Sequence, residues 1–398
     1  MKSAKALIPL VIFGLLSQLN LVASKAEFVE TDHHQYTETV IGAYYYPWYL
    51  KPKLFGENRW KRAMRLHLKH PQKPMAGLFD SRDDKVIGEH IEQSIRGNID
   101  FWAVSWWGPD SRTDVAFKDH VMQHPDFHKL KYAMLYESTG RFGKFENPSY
   151  EKWIPDLQYL KDNYFDDPNY LKIDGRPVVF VYLTRVYFRD KGEEADEALR
   201  QMREQFPEIY LVGDDVFYSS MRADRQGGGY QARWAKQFDA VTAYDIYGQS
   251  IKGFGGTHAA IDYLSGNYEE AKAVANSVGT AFMPAIAPGY NDTAVRDGHP
   301  GRARYFTDVE DSAEGDIFRE MIRQVALPNL DPDAANIMMV TSFNEWYEDS
   351  QIEATAGTQK PSTTDDSDSG THYTGGQKYV DYGYLYLDIL REETTGER

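Results

Sequence analysis

Two glutamates three residues apart carry the clearest chemical signal in the sequence. Glu345 and Glu348 lie in the segment Thr341–Glu353, where an apolar run gives way to polar residues. If a strand ends there in a helical turn, side chains at i and i+3 point the same way. Two neighbouring carboxyl groups do not both ionise freely, so the pair supplies an acid and a base at neutral pH, which is what glycosidic cleavage needs. Elsewhere the same spacing is usually a solvated helix face, so the fold must decide.

Other catalytic arrangements are missing from the sequence. The 398 residues contain no cysteine, which excludes disulfides, thiolate nucleophiles and cysteine metal ligands. Neither a serine-esterase elbow nor a Walker sequence occurs. His120, His124 and His128 have a ligand-like spacing, but Pro125 breaks the helix that would align them, and we interpret them as surface histidines. We therefore predict no metal and no cofactor.

The elements that must position the two glutamates alternate between strand-like and helix-like segments. Eight strands are predicted: Ile41–Tyr49, Ile99–Gly108, Lys131–Ser138, Arg176–Thr184, Ile209–Val216, Ala240–Tyr247, Ala281–Gly289 and Asn336–Glu345. The helix-like segments include Lys85–Arg96, Tyr150–Tyr164, Glu193–Gln205, Ile261–Val278 and Tyr379–Arg391. Eight parallel units joined by crossover helices close into a (β/α)₈ barrel. A doubly wound open sheet is the alternative, disfavoured because no Gly-rich phosphate turn follows the first strand.

The C-terminal tips of the predicted strands share aromatic and acidic residues. They are Tyr46, Trp48, Trp106, Trp107, Tyr136, Glu137, Tyr182, Asp214, Asp215, Tyr244, Asp245, Tyr247, Tyr290, Asn344 and Glu345. In α/β barrels these tips form the rim that builds the active site. Aromatic faces stack on sugars and polar groups bind their hydroxyls, so this rim predicts a sugar-binding cleft. Alternatively, some of these rings only fill the top of the core.

Charge and the N-terminus narrow the partners and the location. The formal net charge of −16 disfavours a nucleic-acid partner. Lys2 and Lys5 precede the apolar run Ala6–Leu16, with small residues up to Ala26, as in a signal peptide. An uncleaved anchor is the alternative, and no later segment is apolar enough to span a membrane. We predict a signal peptide over residues 1–26, a catalytic domain over 38–393, and a secreted or periplasmic protein.

Four motifs, in matching order, resemble one known enzyme family. They are Gly42–Tyr49, Ser105–Gly108, Pro288–Thr293 with Arg296, and Ser342–Glu348. Together they resemble the endo-α-1,2-mannosidase and mannanase family, family 99 of the glycoside hydrolases, from about residue 40 to Gly383. The resemblance implies a (β/α)₈ barrel, no metal, and cleavage of internal mannosidic bonds with retention of configuration.

The resemblance also implies roles for individual residues. Glu345 would be the base that deprotonates the mannose 2-hydroxyl, which attacks C1 to form a 1,2-anhydro sugar, and Glu348 would be the acid that later activates water. The predicted substrate-binding residues are Tyr46, Trp106, Trp107, Tyr182, Tyr247, Arg296, Asn344 and Tyr347.

The sequence departs from the family pattern in its loops and at one motif position. Tyr347 stands where relatives usually have histidine. The loop Lys51–Asp83 is basic in its first half, with Lys51, Lys53, Arg59, Lys61, Arg62 and Arg65. Bases at the mouth of the barrel recognise anions, so a charged or sulfated mannan is one expected substrate. Thr355–Gln377 is long and contains half of a calcium-loop pattern, but the remaining ligands are missing and we interpret it as a solvated acidic linker. The rival interpretations are an α-glucanase on a similar barrel and a non-catalytic carbohydrate-binding protein.

Overall fold

Eight parallel strands surround the core in the computed structural model, which describes residues 39–52, 58–217, 229–246, 256–358 and 360–396. The strands are β1 (Val40–Tyr45), β2 (Phe101–Trp106), β3 (Lys131–Tyr136), β4 (Arg176–Val181), β5 (Tyr210–Asp214), β6 (Ala240–Thr242), β7 in two segments (Ala281–Phe282 and Ala285–Ile286) and β8 (Ile337–Val340). The predicted signal peptide, Lys53 and Tyr247 lie outside the described residues.

The two segments of β7 close the sheet into a barrel. The first segment pairs with β6, Ala240 opposite Ala281, and the second pairs with β8, Ala285 opposite Met339. On its other side β8 pairs in parallel with β1, Val40 opposite Ile337. Each remaining strand pairs in parallel with the next in the chain. The predicted (β/α)₈ barrel is therefore confirmed.

The barrel strands are apolar because both of their faces are covered. β2, β5 and β6 are buried at every position, and β1 at all positions but Val40. Strands buried on both faces have continuous apolar runs instead of alternating ones. Gly42 in β1 is required by close packing, because an added Cβ would overlap the Phe101 ring and the Met339 sulfur inside the barrel.

The helices pack around the barrel. The α-helices are Asp84–Arg96, Arg112–Ala116, Ser138–Arg141, Trp153–Leu160, Thr184–Tyr187, Glu193–Gln205, Ala232–Ala235, His258–Asn276, Asp316–Glu320 and Leu385–Thr395. Short 3₁₀ turns are Arg59–Arg62, Met64–Leu66, Phe127–Lys129, Leu327–Asn329 and Pro332–Ala334, and π-helical turns are Phe117–Val121, Lys161–Phe165 and Met321–Ala326. Helix Asp84–Arg96 begins where the Asp83 side chain accepts the Lys85 amide, and it buries Val86, Ile87 and Ile91 on one face. No helix in the described part of the chain is long and apolar enough to cross a membrane.

The predicted strands extended too far at their C-terminal ends. β1 ends at Tyr45 and β8 at Val340, short of the predicted Tyr49 and Glu345. The reason is a change of hydrogen-bond partner, since the Tyr46 amide donates to the Asn344 side chain and not to a neighbouring strand. The residues beyond the strands are thus free to form the loops of the rim.

Two predicted helices have different bounds. Within Tyr150–Tyr164 the α-helix starts at Trp153, because Pro155 is tolerated only in a first turn, and a π-helical turn follows Leu160. The last helix is Leu385–Thr395 and not Tyr379–Arg391. Gly383 interrupts it with a positive φ of 57°, in the left-handed region that glycine accepts at low cost.

The segment predicted as a solvated linker is folded against the first long loop. Thr355–Ala356 pairs antiparallel with Lys73–Pro74, and Asp365 forms an isolated bridge with Leu68. The Asp365 carboxylate accepts the amides of Tyr373 and Thr374 at 2.8 Å each. This buried carboxylate satisfies backbone amides within the segment and so holds it in a defined fold.

Candidate active site

The turn after β8 fixes the Glu345 carboxylate with contacts from its own neighbours. The Ser342 hydroxyl accepts the Glu345 amide at 2.7 Å, and the Tyr347 amide donates to Glu345 Oε1 at 2.8 Å. Glu345 is buried, with 2% of its surface exposed. A carboxylate held by a backbone N–H inside a buried turn has a defined direction, here toward the centre of the rim.

Asn344 supports this turn from below and does not face the cleft. Its Oδ1 accepts the Tyr46 amide at 2.7 Å and its Nδ2 donates to the Tyr46 carbonyl at 3.2 Å. Its own carbonyl accepts the Tyr49 hydroxyl at 2.7 Å. Asn344, predicted to bind substrate, is buried here, and the oxygen and the nitrogen of its side-chain amide both join the loops after β1 and β8.

Glu348 is held by a cation and a phenol. Arg296 Nη1 lies 3.0 Å from Glu348 Oε1, and the Tyr244 hydroxyl donates to Glu348 Oε2 at 3.2 Å. The same Arg296 nitrogen donates to the buried Asp292 Oδ2 at 2.6 Å. Arg296 is therefore oriented by Asp292 on one side and fixes Glu348 on the other.

Burial and mutual repulsion perturb both glutamates. Burial raises the pKa of Glu345 well above its usual range, and the nearby Glu348 raises it further. Burial also raises the pKa of Glu348, while Arg296 and the Tyr244 hydroxyl act in the opposite direction. Two carboxyls that disfavour each other's charge lose their protons one after the other as the pH rises. The pair can thus provide one acid and one base.

A third carboxyl, Glu137, borders the same space at the end of β3. Its Oε1 accepts the Ser105 hydroxyl at 2.6 Å, and Trp107 Nε1 donates to the same hydroxyl at 2.9 Å. Burial raises the pKa of Glu137 to about 8, and the charges of Glu348 and Asp214 contribute. Sequence reasoning placed Glu137 on the rim but not in the predicted site.

The carboxyls line a central cavity of about 310 Å³. Its lining residues are Tyr46, Trp48, Trp107, Glu137, Thr139, Tyr182, Leu183, Tyr244, Val295, Arg296, Glu345, Tyr347 and Glu348. Five predicted substrate-binding residues are thereby brought together with both predicted catalytic glutamates. Trp48, Glu137 and Tyr244 join them, and membership of the rim was the only sequence signal that pointed to these three.

A second cavity adjoins the central one on the Glu348 side. It has a volume of about 280 Å³ and shares Tyr182, Leu183, Tyr244, Arg296 and Glu348 with the central cavity. Its other lining residues include Arg185, Asp245, Tyr290 and His299. Glu348 therefore borders both spaces, whereas Glu345 borders the central one.

A third cavity, of about 310 Å³, adjoins the central one on the opposite side. It is lined by Trp48, Arg59, Arg62, Trp107, Arg112, Thr113 and Tyr347. The shared residues are Trp48, Trp107 and Tyr347, and the rings of Trp48 and Tyr347 are nearly parallel, with centroids 5.9 Å apart. The three spaces form one cleft with the glutamate pair in its middle.

Trp106 is not a cleft residue, contrary to the prediction. It is buried, its Nε1 donates to Asp114 Oδ1 at 2.7 Å, and its ring packs against Tyr159. Side chains alternate along a strand, so Ser105 and Trp107 face the rim while Trp106 faces the surrounding helices. The paired tryptophans thus have different roles.

The basic loop divides between the third cavity and the core. Arg59 and Arg62 line the cavity, whereas Arg65 is buried with its Nε 2.5 Å from Asp349 Oδ1. Arg304 Nη2 donates to the Asp349 carbonyl at 2.9 Å. The expectation that all of these bases lie at the mouth is wrong for Arg65, which stabilises the turn beside Glu348.

In the described residues no three histidine, aspartate or glutamate side chains are grouped to hold a metal ion.

Comparison with known proteins identifies the family to which this fold is similar. A family model described as "Glycosyl hydrolase family 99" matches residues 71–380. The mouse "Glycoprotein endo-alpha-1,2-mannosidase" is 22% identical over 94% of this chain and 78% of its own length. The human "Glycoprotein endo-alpha-1,2-mannosidase-like protein" is 24% identical over 88% and 74%. Among solved structures, the family 99 endo-alpha-mannosidase of Bacteroides thetaiotaomicron superposes with a TM-score of 0.59 and 21% identity, covering 89% of this chain and 96% of that one.

Proposed function

The chain belongs to glycosyl hydrolase family 99, because the family model spans most of it, and from this premise we propose that it hydrolyses internal α-1,2-mannosidic bonds of mannan or a mannose-rich glycan with retention of configuration. The observation that supports cleavage within a chain is the position of the glutamate pair in the middle of the cleft. Cavities adjoin the central one on both sides. A polysaccharide can therefore extend in both directions from the bond that breaks.

In the first proposed step, Glu345 acts on the sugar in the central cavity. Its carboxylate accepts the proton of the 2-hydroxyl, and O2 attacks C1. The bond from C1 to the leaving oxygen breaks as Glu348 donates its proton to that oxygen. The product of this step is a 1,2-anhydro sugar and a shortened glycan with a free hydroxyl.

In the second step the roles of the two carboxyls reverse. The Glu348 carboxylate accepts a proton from water, whose oxygen attacks C1. The C1–O2 bond breaks, and Glu345 returns its proton to O2. Two displacements at C1 restore the original configuration, and no covalent sugar–enzyme bond forms.

The protonation states that these two reaction steps require depend on the substrate. Arg296 favours the ionised form of Glu348. A substrate 2-hydroxyl that donates to Glu345 favours the ionised form of that carboxyl and leaves the shared proton for Glu348. Substrate binding thus prepares the base and the acid together.

The positions of the two carboxyls also orient the substrate. Glu348, the proposed acid, borders the second cavity as well as the central one. The leaving part of the glycan therefore occupies the second cavity. The sugar on the non-reducing side of the reactive mannose occupies the third cavity, beside Trp48 and Trp107.

A panel of linear polymers tests this function directly. The purified protein is incubated with α-1,2-, α-1,3- and α-1,6-mannans and with α-glucans, and products are separated by size and anomeric form. We expect that only α-1,2-mannan is cleaved and that the oligosaccharides released from it retain the α-configuration. Cleavage of α-glucan in preference would establish the rival α-glucanase, and binding without products would establish a non-catalytic protein.

We also propose that residues 1–26 are removed and that the enzyme is secreted or periplasmic. The basic start, the apolar run Ala6–Leu16 and the small residues before position 27 support this. Expression of the full chain, followed by mass analysis of the mature N-terminus, tests it. A protein that keeps Met1 and remains in the membrane fraction would contradict the proposal.

A further inference from the structure

The third cavity has a lining unlike that of the rest of the cleft. Three arginines, Arg59, Arg62 and Arg112, border it, and no aspartate or glutamate of the described chain is among its lining residues. We call the third space the arginine cavity.

This cluster of positive charge contrasts with the negative net charge of the protein as a whole. The formal net charge is −16, so a cavity lined by three guanidinium groups is not an accident of a basic surface. Arg59 and Arg62 come from the 3₁₀ turn Arg59–Arg62, and Arg112 is the first residue of the short helix Arg112–Ala116 that follows β2. Cations from two separate elements that converge on one space attract an anion there.

Tyr347 lies close to all three cations. Burial and Glu345 raise the pKa of the Tyr347 hydroxyl, while Arg62, Arg59 and Arg112 all act to lower it. The Tyr347 ring stands between the arginine cavity and the central cavity and lines both. The guanidinium groups therefore surround the space one ring away from the reactive carboxyls.

The rest of the lining suits a sugar. Trp48 and Trp107 present ring faces whose centroids are 6.3 Å apart, and the Thr113 hydroxyl lies beside them. Aromatic faces stack on the apolar side of a pyranose, whereas guanidinium groups bind oxyanions in a two-pronged geometry. A sugar that carries an anionic group satisfies both sets of groups at once.

Building on the proposed function, we propose that the arginine cavity binds an anionic substituent on the sugar at the non-reducing side of the cleaved bond, so that the preferred substrate is an anionic α-mannan. The shared chemistry is a sulfate, phosphate or carboxylate oxyanion. The two departures from the family pattern, Tyr347 and the basic first loop, meet at this one cavity.

The test compares polymers that differ only in charge. A neutral α-1,2-mannan is converted into sulfated, phosphorylated and C6-oxidised derivatives of equal length, and kcat and KM are measured on each. The wild-type protein is expected to favour at least one derivative by about tenfold in kcat/KM, mainly through KM, because charge-assisted bonds of this kind add binding energy. The derivative that is preferred identifies the source of the anion.

The variant Arg59→Gln/Arg62→Gln/Arg112→Gln is expected to lose that preference, because its kcat/KM should fall by about tenfold more on the preferred anionic derivative than on neutral mannan. Lys61→Gln is the matched control, because Lys61 is an exposed cation of the same turn that does not line the cavity. It should keep the preference. High salt should reduce the wild-type preference and leave that of the triple variant unchanged.

The outcomes separate this inference from the function on which it rests. If the wild-type protein cleaves none of the mannans, the proposed function has failed and this inference falls with it. If its kcat/KM on neutral mannan equals that on every anionic derivative, only this inference is overturned. Equal losses of the triple variant on neutral and anionic polymers, with an unchanged melting curve, would also overturn it.

Discussion

Arg296 Nη1 lies 3.0 Å from Glu348 Oε1 while also donating to Asp292 Oδ2 at 2.6 Å. One guanidinium therefore sets the charge state of the proposed acid and takes its own orientation from a buried carboxylate. About half of the Arg296 side chain remains exposed to the cleft. In the proposed mechanism this residue joins substrate binding to proton transfer, which makes its removal informative.

Arg296→Met should move the alkaline limb of the pH–rate profile upward. Arg296 lowers the pKa of Glu348, so its loss raises that pKa, and an acid with a higher pKa remains protonated to higher pH. KM should rise as well, because the side chain lines two of the cavities. Kinetics across pH, with a melting curve as the folding check, measure both effects. An unchanged KM and an unchanged limb would show a purely structural residue.

Glu348→Gln should lose about 10²- to 10⁴-fold in turnover of natural polymer, because an amide cannot transfer the proton. A substrate with an activated leaving group needs less acid assistance and should be partly spared. Glu92→Gln, an exposed change on helix Asp84–Arg96, is the matched control. Equal losses on both kinds of substrate would argue against an acid role for Glu348.

Glu345 should not form a covalent bond to the sugar. If the 2-hydroxyl is the nucleophile, a 2-deoxy-2-fluoro mannoside traps no adduct, and a synthetic 1,2-anhydro mannose is accepted and hydrolysed. Mass spectrometry of the intact protein and product analysis measure the two results. A stable glycosyl ester on Glu345 would refute this mechanism while leaving a retaining hydrolase.

Arg65→Met should destabilise the fold by about 3 kcal/mol, because it leaves Asp349 buried with less compensation. Asp349 follows Glu348 directly and has a positive φ of 48°, so kcat should fall more than KM rises. Denaturant unfolding and steady-state kinetics measure the two effects. Arg65→Met/Asp349→Asn should cost less than the sum of the single changes, and strict additivity would contradict the pairing.

The neighbouring tryptophans should separate stability from binding. Trp106→Phe should cost about 1–3 kcal/mol, because it leaves the buried Asp114 without one donor, and it should leave KM unchanged. Trp107→Phe keeps a ring in the cleft but removes the donor to Ser105, so it should alter kinetics more than the melting temperature. A large KM effect of Trp106→Phe would restore the original prediction for that residue.

The sequence alone determined the fold class and the centre of the site. Eight apolar runs alternating with helical patterns predicted the barrel, because strands buried on both faces cannot accommodate polar residues. The spacing of Glu345 and Glu348 at the end of the last run placed both on the rim. These are local properties, since composition, periodicity and the next few residues of the chain decide them.

Only the tertiary structure decided which rim residues face the cleft. Trp106 and Trp107 are adjacent residues of the same type. Their side chains point to opposite faces of the sheet, and the placement of β2 in the barrel decides which of them faces the cleft. Asn344 turned inward because its amide completes the hydrogen bonds of Tyr46, which lies 298 positions away in the chain. Arg65 lies away from the mouth because it pairs with the buried Asp349, while Arg112, the first residue of helix Arg112–Ala116, lines the same cavity as Arg59. Contacts between loops on different strands are set by barrel closure, and no local pattern in the chain encodes them.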